Sequence, residues 1–140
     1  MTVEQLKKIA WLERAFYAEK LAKAYLEKCE RERSFAERLS RTFSESGSNS
    51  GNSTEDALIR LAVTERKTQE KLQELVRVRE EISEAIQQIE EPDLQAVLVW
   101  HYLNYFTFEQ TAEKMHYGTA TVYRKHKQAL NQIDIENDSL

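Results

Sequence analysis

Between Thr119 and Leu130 the chain carries Arg124, Lys125 and Lys127 and no acidic residue, directly after the small residues Gly118, Thr119 and Ala120. Residues three and four apart share a helix face, so Ala120, Tyr123, Arg124 and Lys127 would line one side of a helix. A guanidinium such as Arg124 can bond a guanine edge in bidentate fashion, and Thr119 and Ala120 can meet a thymine methyl. Lys125 and Lys127 suit phosphate oxygens, with Lys114 and Thr107 as outlying backbone contacts. Tyr123 has a second reading, packing within the helical core, as amphipathic Tyr often does. The lysines have one too, an ordinary solvated face.

Such a helix needs a partner that fixes it. The run from Thr107 to Met115 reads as a short amphipathic helix, and a tight turn then leads into the basic helix. Together they predict a helix-turn-helix, with the second helix shaped to lie in a DNA groove. Ala112 is small enough for the two helices to cross closely. Thr111, Met115, Tyr117 and Val122 are the expected filling, and Gly118 the expected residue of the turn.

The 140 residues include one proline, three glycines and 31% charged side chains, a composition that fits an all-α protein. No stretch has the length and apolarity of a membrane span, and the first residues hold no apolar signal core. A cytoplasmic protein without membrane contact is expected. Cys29 is the single cysteine, so it forms no intrachain disulfide and reads as a small buried residue. The net charge of −4 is unlike that of a strong general nucleic-acid binder. Its distribution matters more: the residues to Phe43 carry ten Lys or Arg against seven Glu, while Thr54 to Glu91 carry six against ten acids.

Two long helices precede the helix-turn-helix. The first is expected from about Thr2 to Phe43, the second from about Thr54 to Glu90. Residues 44–53, rich in Ser, Gly and Asn, read as a flexible loop with a cap at Asn52 or Ser53. Leu58, Leu61, Glu65, Thr68, Leu72, Leu75, Arg79, Ile82, Ile86 and Ile89 step by threes and fours, a coiled-coil stripe. Folded as an antiparallel hairpin, the helices would set Leu12 near Ile86, Ile9 near Ile89 and Phe16 near Ile82. The same register pairs Glu19 with Arg79 and Arg33 with Glu65. The seam fits an intrachain hairpin or an intermolecular bundle equally well. Pro92 ends the second helix and can start the next. The expected division is therefore a hairpin over 1–91, a helix-turn-helix unit over 92–133 and an acidic tail over 134–140.

Leu94-Gln95-Ala96-Val97-Leu98-Val99-Trp100-His101-Tyr102-Leu103 followed by Phe106 to Leu130 resembles region 4 of bacterial sigma factors, with Thr121-Val122 and Ala129-Leu130 matching its recognition helix. The resemblance covers about the last forty residues. In this chain His116 stands at the usual turn Gly and Gly118 at the usual capping Ser. The chain as a whole is similar to small proteins of Gram-positive phages and prophages related to late-gene regulators of the ArpU and RinA type. Nothing in the first ninety residues resembles a promoter-melting region. The resemblance implies a phage-type transcriptional regulator whose partner is double-stranded DNA, with the hairpin serving either homo-oligomerisation or contact with RNA polymerase. The competing reading is a docking module that offers the same helices to polymerase or a packaging complex without reading DNA.

An enzyme is not expected. His101, His116 and His126 match no zinc spacing, one cysteine cannot complete a metal site, and no nucleophile–base arrangement or phosphate-cradling glycine loop is present. No cofactor is expected either.

Overall fold

The computed structural model describes residues 1–46 and 51–135, and among these the chain is helical with no strand. Helix α1 is Val3–Leu12, α2 Arg14–Ser46, α3 Gly51–Gln87, α4 Pro92–Leu98, α5 Phe108–Met115 and α6 Thr119–Gln132. A π-helical turn, Val99–Leu103, continues α4.

The first expected helix is interrupted at Glu13. Thr2 opens α1 with a capping box, in which its Oγ1 accepts from the Gln5 backbone and the Gln5 side chain accepts from the Thr2 backbone. At the far end Arg14 Nε donates to the Trp11 carbonyl at 3.0 Å, a side chain entering the backbone ladder, which is a recognised cause of a helix break. Parts of the segment expected as a loop over 44–53 are helical, because α2 continues to Ser46 and α3 begins at Gly51. Residues 47–50 lie outside the described residues, as do 136–140 of the expected acidic tail.

The chain divides into two compact units. One joins Met1–Tyr17 to Val76–Leu140; the other is Ala18–Leu75. This differs from the expected division at residue 91, because the first turns of the chain and the end of α3 belong with the helix-turn-helix.

In the first unit Leu12, Ile82, Ile86, Leu94, Leu98, Leu130 and Ile133 are fully buried in one core. Ile9 and Ile89 join it, so the apolar neighbours expected around Leu12 and Ile86 are assembled. Phe16 is not among them. It is 41% exposed and meets the Tyr105 ring edge-on at 5.7 Å. Arg79 does not serve the expected pair with Glu19 either. Its Nη1 donates to the Leu103 carbonyl at 2.9 Å and to the Tyr105 hydroxyl at 2.8 Å, while Glu19 pairs with Lys23 one turn along its own helix. Tyr105 holds a left-handed φ of 62° at the exit of the π-helical turn.

In the second unit α2 and α3 form the antiparallel hairpin. Its seam is made of small residues, Ala22, Cys29 and Ala36 from α2 with Ala57, Thr64 and Thr68 from α3. The Thr68 hydroxyl lies 2.7 Å from the Thr64 carbonyl and 3.2 Å from that of Tyr25. Arg33 and Glu65 form the expected ion pair at 3.6 Å.

Candidate nucleic-acid interface

Thr107 starts α5 with a second capping box, reciprocated by Gln110. The helix ends at His116, whose φ of 59° and ψ of 39° are left-handed, and the Tyr117 backbone then donates to the Ala112 carbonyl at 3.0 Å. The turn expected of Gly118 is thus made by His116. Gly118 sits in extended backbone at φ −72° as the N-cap of α6, and a side chain there would meet nothing within 4 Å.

Helix α6 buries Val122, His126, Ala129 and Leu130, a spacing that gives one inward stripe. Val122 packs with Ala112 of α5 and Val97 of α4, with Phe108 and Met115 against them. The small residue at Ala112 therefore does what the sequence implies. Thr111 is fully buried, and its hydroxyl has no hydrogen-bond partner among the described residues.

Behind α6 lies a buried aromatic and imidazole cluster. The Tyr102 hydroxyl and His126 Nε2 are 2.7 Å apart. His101 stacks on Phe108 at 4.0 Å, and its Nδ1 donates to the Phe106 carbonyl at 2.7 Å, which fixes a hydrogen on that nitrogen. Burial, with His101 nearby, pushes the His126 pKa down to about 4; burial also lowers that of His101. Burial raises the Tyr102 hydroxyl well above its ordinary range. Both imidazoles are thus neutral at pH 7 and act as packing groups. Among the described residues no cluster of His, Cys, Asp or Glu could hold a metal ion.

The C-terminal end of α6 is tied to α1. Lys8 Nζ donates to the Leu130 carbonyl at 2.9 Å, and Gln5 Nε2 donates to Asn131 Oδ1 at 2.8 Å. A cation on the last carbonyls satisfies them and complements the helix dipole. No pattern in the sequence linked Gln5 or Lys8 to a helix more than a hundred residues away.

The outward stripe of α6 is Ala120, Tyr123, Arg124 and Lys127, all exposed, with Thr119 half-buried at its start. Neither Arg124 nor Lys127 has an acidic partner among the described residues. Tyr123 is 48% exposed, and its ring also rests on Phe108 at 4.6 Å.

Lys125 departs from expectation. Its Nζ lies 3.3 Å from Asp93 Oδ2 and 5.3 Å above the Tyr117 ring, and the Tyr117 hydroxyl donates to the same carboxylate oxygen at 2.5 Å. That bond and the nearby ammonium hold the Asp93 carboxyl below its usual range. Lys125 is therefore occupied in joining α6 to α4. Tyr117, expected as filling, is 37% exposed and belongs to this polar link. Lys114 lies over the stacked rings of Trp100 and Phe106, and Thr107 is exposed at the α5 cap.

A match to the family described as a protein of unknown function, DUF1492, spans residues 38–134. The chain belongs to the DUF1492 family. The DUF1492 match runs from the end of α2 through α6 and leaves out α1, so Gln5 and Lys8 lie outside it while their partners Asn131 and Leu130 lie within. No curated protein and no solved structure matches the chain.

Proposed function

We propose that α5 and α6 bind duplex DNA and that the protein acts as a phage-type transcriptional regulator. The observation that carries this reading is the exposed stripe Ala120–Tyr123–Arg124–Lys127 on a helix held at its C-terminal end, through Lys125 to α4 and along its inner face. A helix so fixed presents its side chains in one orientation, which groove reading requires. Arg124 is placed to read a base edge, with Ala120 and Thr119 toward a methyl group. Lys127 and Lys114 reach phosphates, and Thr107 is an outlying backbone contact. Two lysine–phosphate contacts per chain predict a slope of log K against log salt near about −2. The hairpin then serves self-association or contact with RNA polymerase.

The exposed acids Glu109 and Glu113 on α5 favour a second reading, a docking surface for a protein partner. Fluorescence anisotropy of the full chain against random and genomic-context duplexes at two salt concentrations separates the two. Salt-sensitive binding that the Arg124→Ala/Lys127→Ala variant loses supports DNA reading. A folded protein that binds no duplex leaves docking.

A further inference from the structure

The hairpin hides its small residues and shows its large ones. Ala22, Cys29, Ala36, Ala57 and Thr64 are buried, while Leu26 is 39% and Leu58 51% exposed. Two helices of this kind bury too little apolar surface to account for their own stability.

The Arg33–Glu65 ion pair marks one side of the hairpin. Leu26 precedes Arg33 by one heptad, and Leu58 and Leu72 flank Glu65 by one heptad each way, so all three share the side of that pair. Half-buried Leu61 and Leu75 border them. The opposite flank also shows large side chains, Leu21 at 47% and Phe35 at 45% exposed one heptad either side of Lys28, but it is cationic, with Lys28 and Lys71 both over the Tyr25 ring. The apolar stripe legible in α3 is therefore wider than α2 covers, and the uncovered half lies on the ion-pair side.

We propose that this side is the interface with a second copy of the chain, the two hairpins closing into a four-helix bundle. The proposal takes the self-association side of the functional reading and needs no DNA. Charge selects the occupant. A two-fold axis parallel to the hairpin lays α2 of each copy over α3 of the other at equal height. Arg33 then faces Glu65 of the second copy, and Leu26 faces its Leu72, since both pairs lie level in the hairpin. The face thus complements itself, as an isologous interface must. The area is also of the right order. Two helices side by side over about 27 Å of length present on the order of 550 Å² in projection, and more as accessible surface, beside the roughly 800 Å² per partner of a standard interface.

Sedimentation velocity on the full chain, from micromolar to submillimolar, tests this together with circular dichroism of each variant. Wild type should be a dimer. Arg33→Glu and Glu65→Arg should each self-associate at least about tenfold more weakly, a loss of roughly 1.4 kcal/mol. Mixing the two variants should restore the dimer as a heterodimer, because each supplies the charge the other lacks. Leu26→Glu/Leu58→Glu should be monomeric with helix content kept. A monomeric wild type over the whole range overturns the proposal. So does a dimer that these variants leave unchanged, or one that mixing fails to restore; a dimer without DNA binding leaves it standing.

Discussion

Tyr102 and His126 share a 2.7 Å hydrogen bond inside the core, although one lies in the π-helical turn and the other on the inner face of α6. The bond satisfies two polar groups that burial would otherwise leave costly. It also ties the exposed stripe to the rest of the unit, because rotating α6 would break it.

Acid should therefore loosen this unit. With a folded pKa of about 4 against an ordinary 6.5, His126 binds its proton more readily in the unfolded chain. The resulting stability is complete above about pH 6.5 and is lost as pH falls towards 4, by on the order of 3 kcal/mol. Urea denaturation at pH 7.5, 5.5 and 4.5 measures it. His126→Phe should flatten the part of the profile that His126 contributes, and a profile unchanged by that substitution would show that His126 does not titrate as the geometry implies.

Replacing Tyr102 by Phe leaves His126 buried without its partner. A loss of about 1–3 kcal/mol is expected by chemical denaturation. Substitution without any loss would mean that the hydroxyl bond contributes nothing.

The turn residues should respond in opposite ways to substitution. His116 is held at positive φ, so His116→Gly should be neutral or stabilising, while His116→Ile should cost about 1–2 kcal/mol. Gly118 has ordinary extended backbone and open space around it, so Gly118→Ser should add a few tenths of a kcal/mol as a better N-cap. Thermal melts of the three variants decide, and a stable His116→Ile protein would refute the assignment of the turn.

The three cations of α6 should separate in a salt titration of DNA binding. Lys127→Ala should flatten the slope by about one, as one lost phosphate contact does, and Arg124→Ala should weaken and relax sequence preference. Lys125→Ala should leave the slope unchanged, since its ammonium is engaged by Asp93. Equal slope changes for Lys125 and Lys127 would show that the Asp93 link opens on DNA.

The helix-turn-helix was legible because its information is local. Ala112, Met115 and Val122 lie within a few turns of one another, and helix periodicity alone puts them together. The hairpin was half legible. Periodicity identified the faces of α2 and α3 and the Arg33–Glu65 pair, but its α3 stripe took in Leu58, which is exposed, and passed over Ala57 and Thr64, which are buried. The α3 side of the seam is made by Ala57, Thr64 and Thr68, because small residues allow close approach. Arg79 was misassigned for a related reason. A charge within an apolar stripe invites a charged partner, yet the Leu103 carbonyl and the Tyr105 hydroxyl satisfy it as well. The contacts of Gln5 and Lys8 with α6 left no trace in any local pattern, being set only by the tertiary fold.

That last contact orders events in time. Helix α1 leaves the ribosome more than a hundred residues ahead of α6, so it must wait through the synthesis of everything between before Lys8 finds the Leu130 carbonyl. The hairpin residues, which are contiguous, can pair earlier, as local contacts generally do. The exposed stripe of α6 is then set in place only after the hairpin has paired.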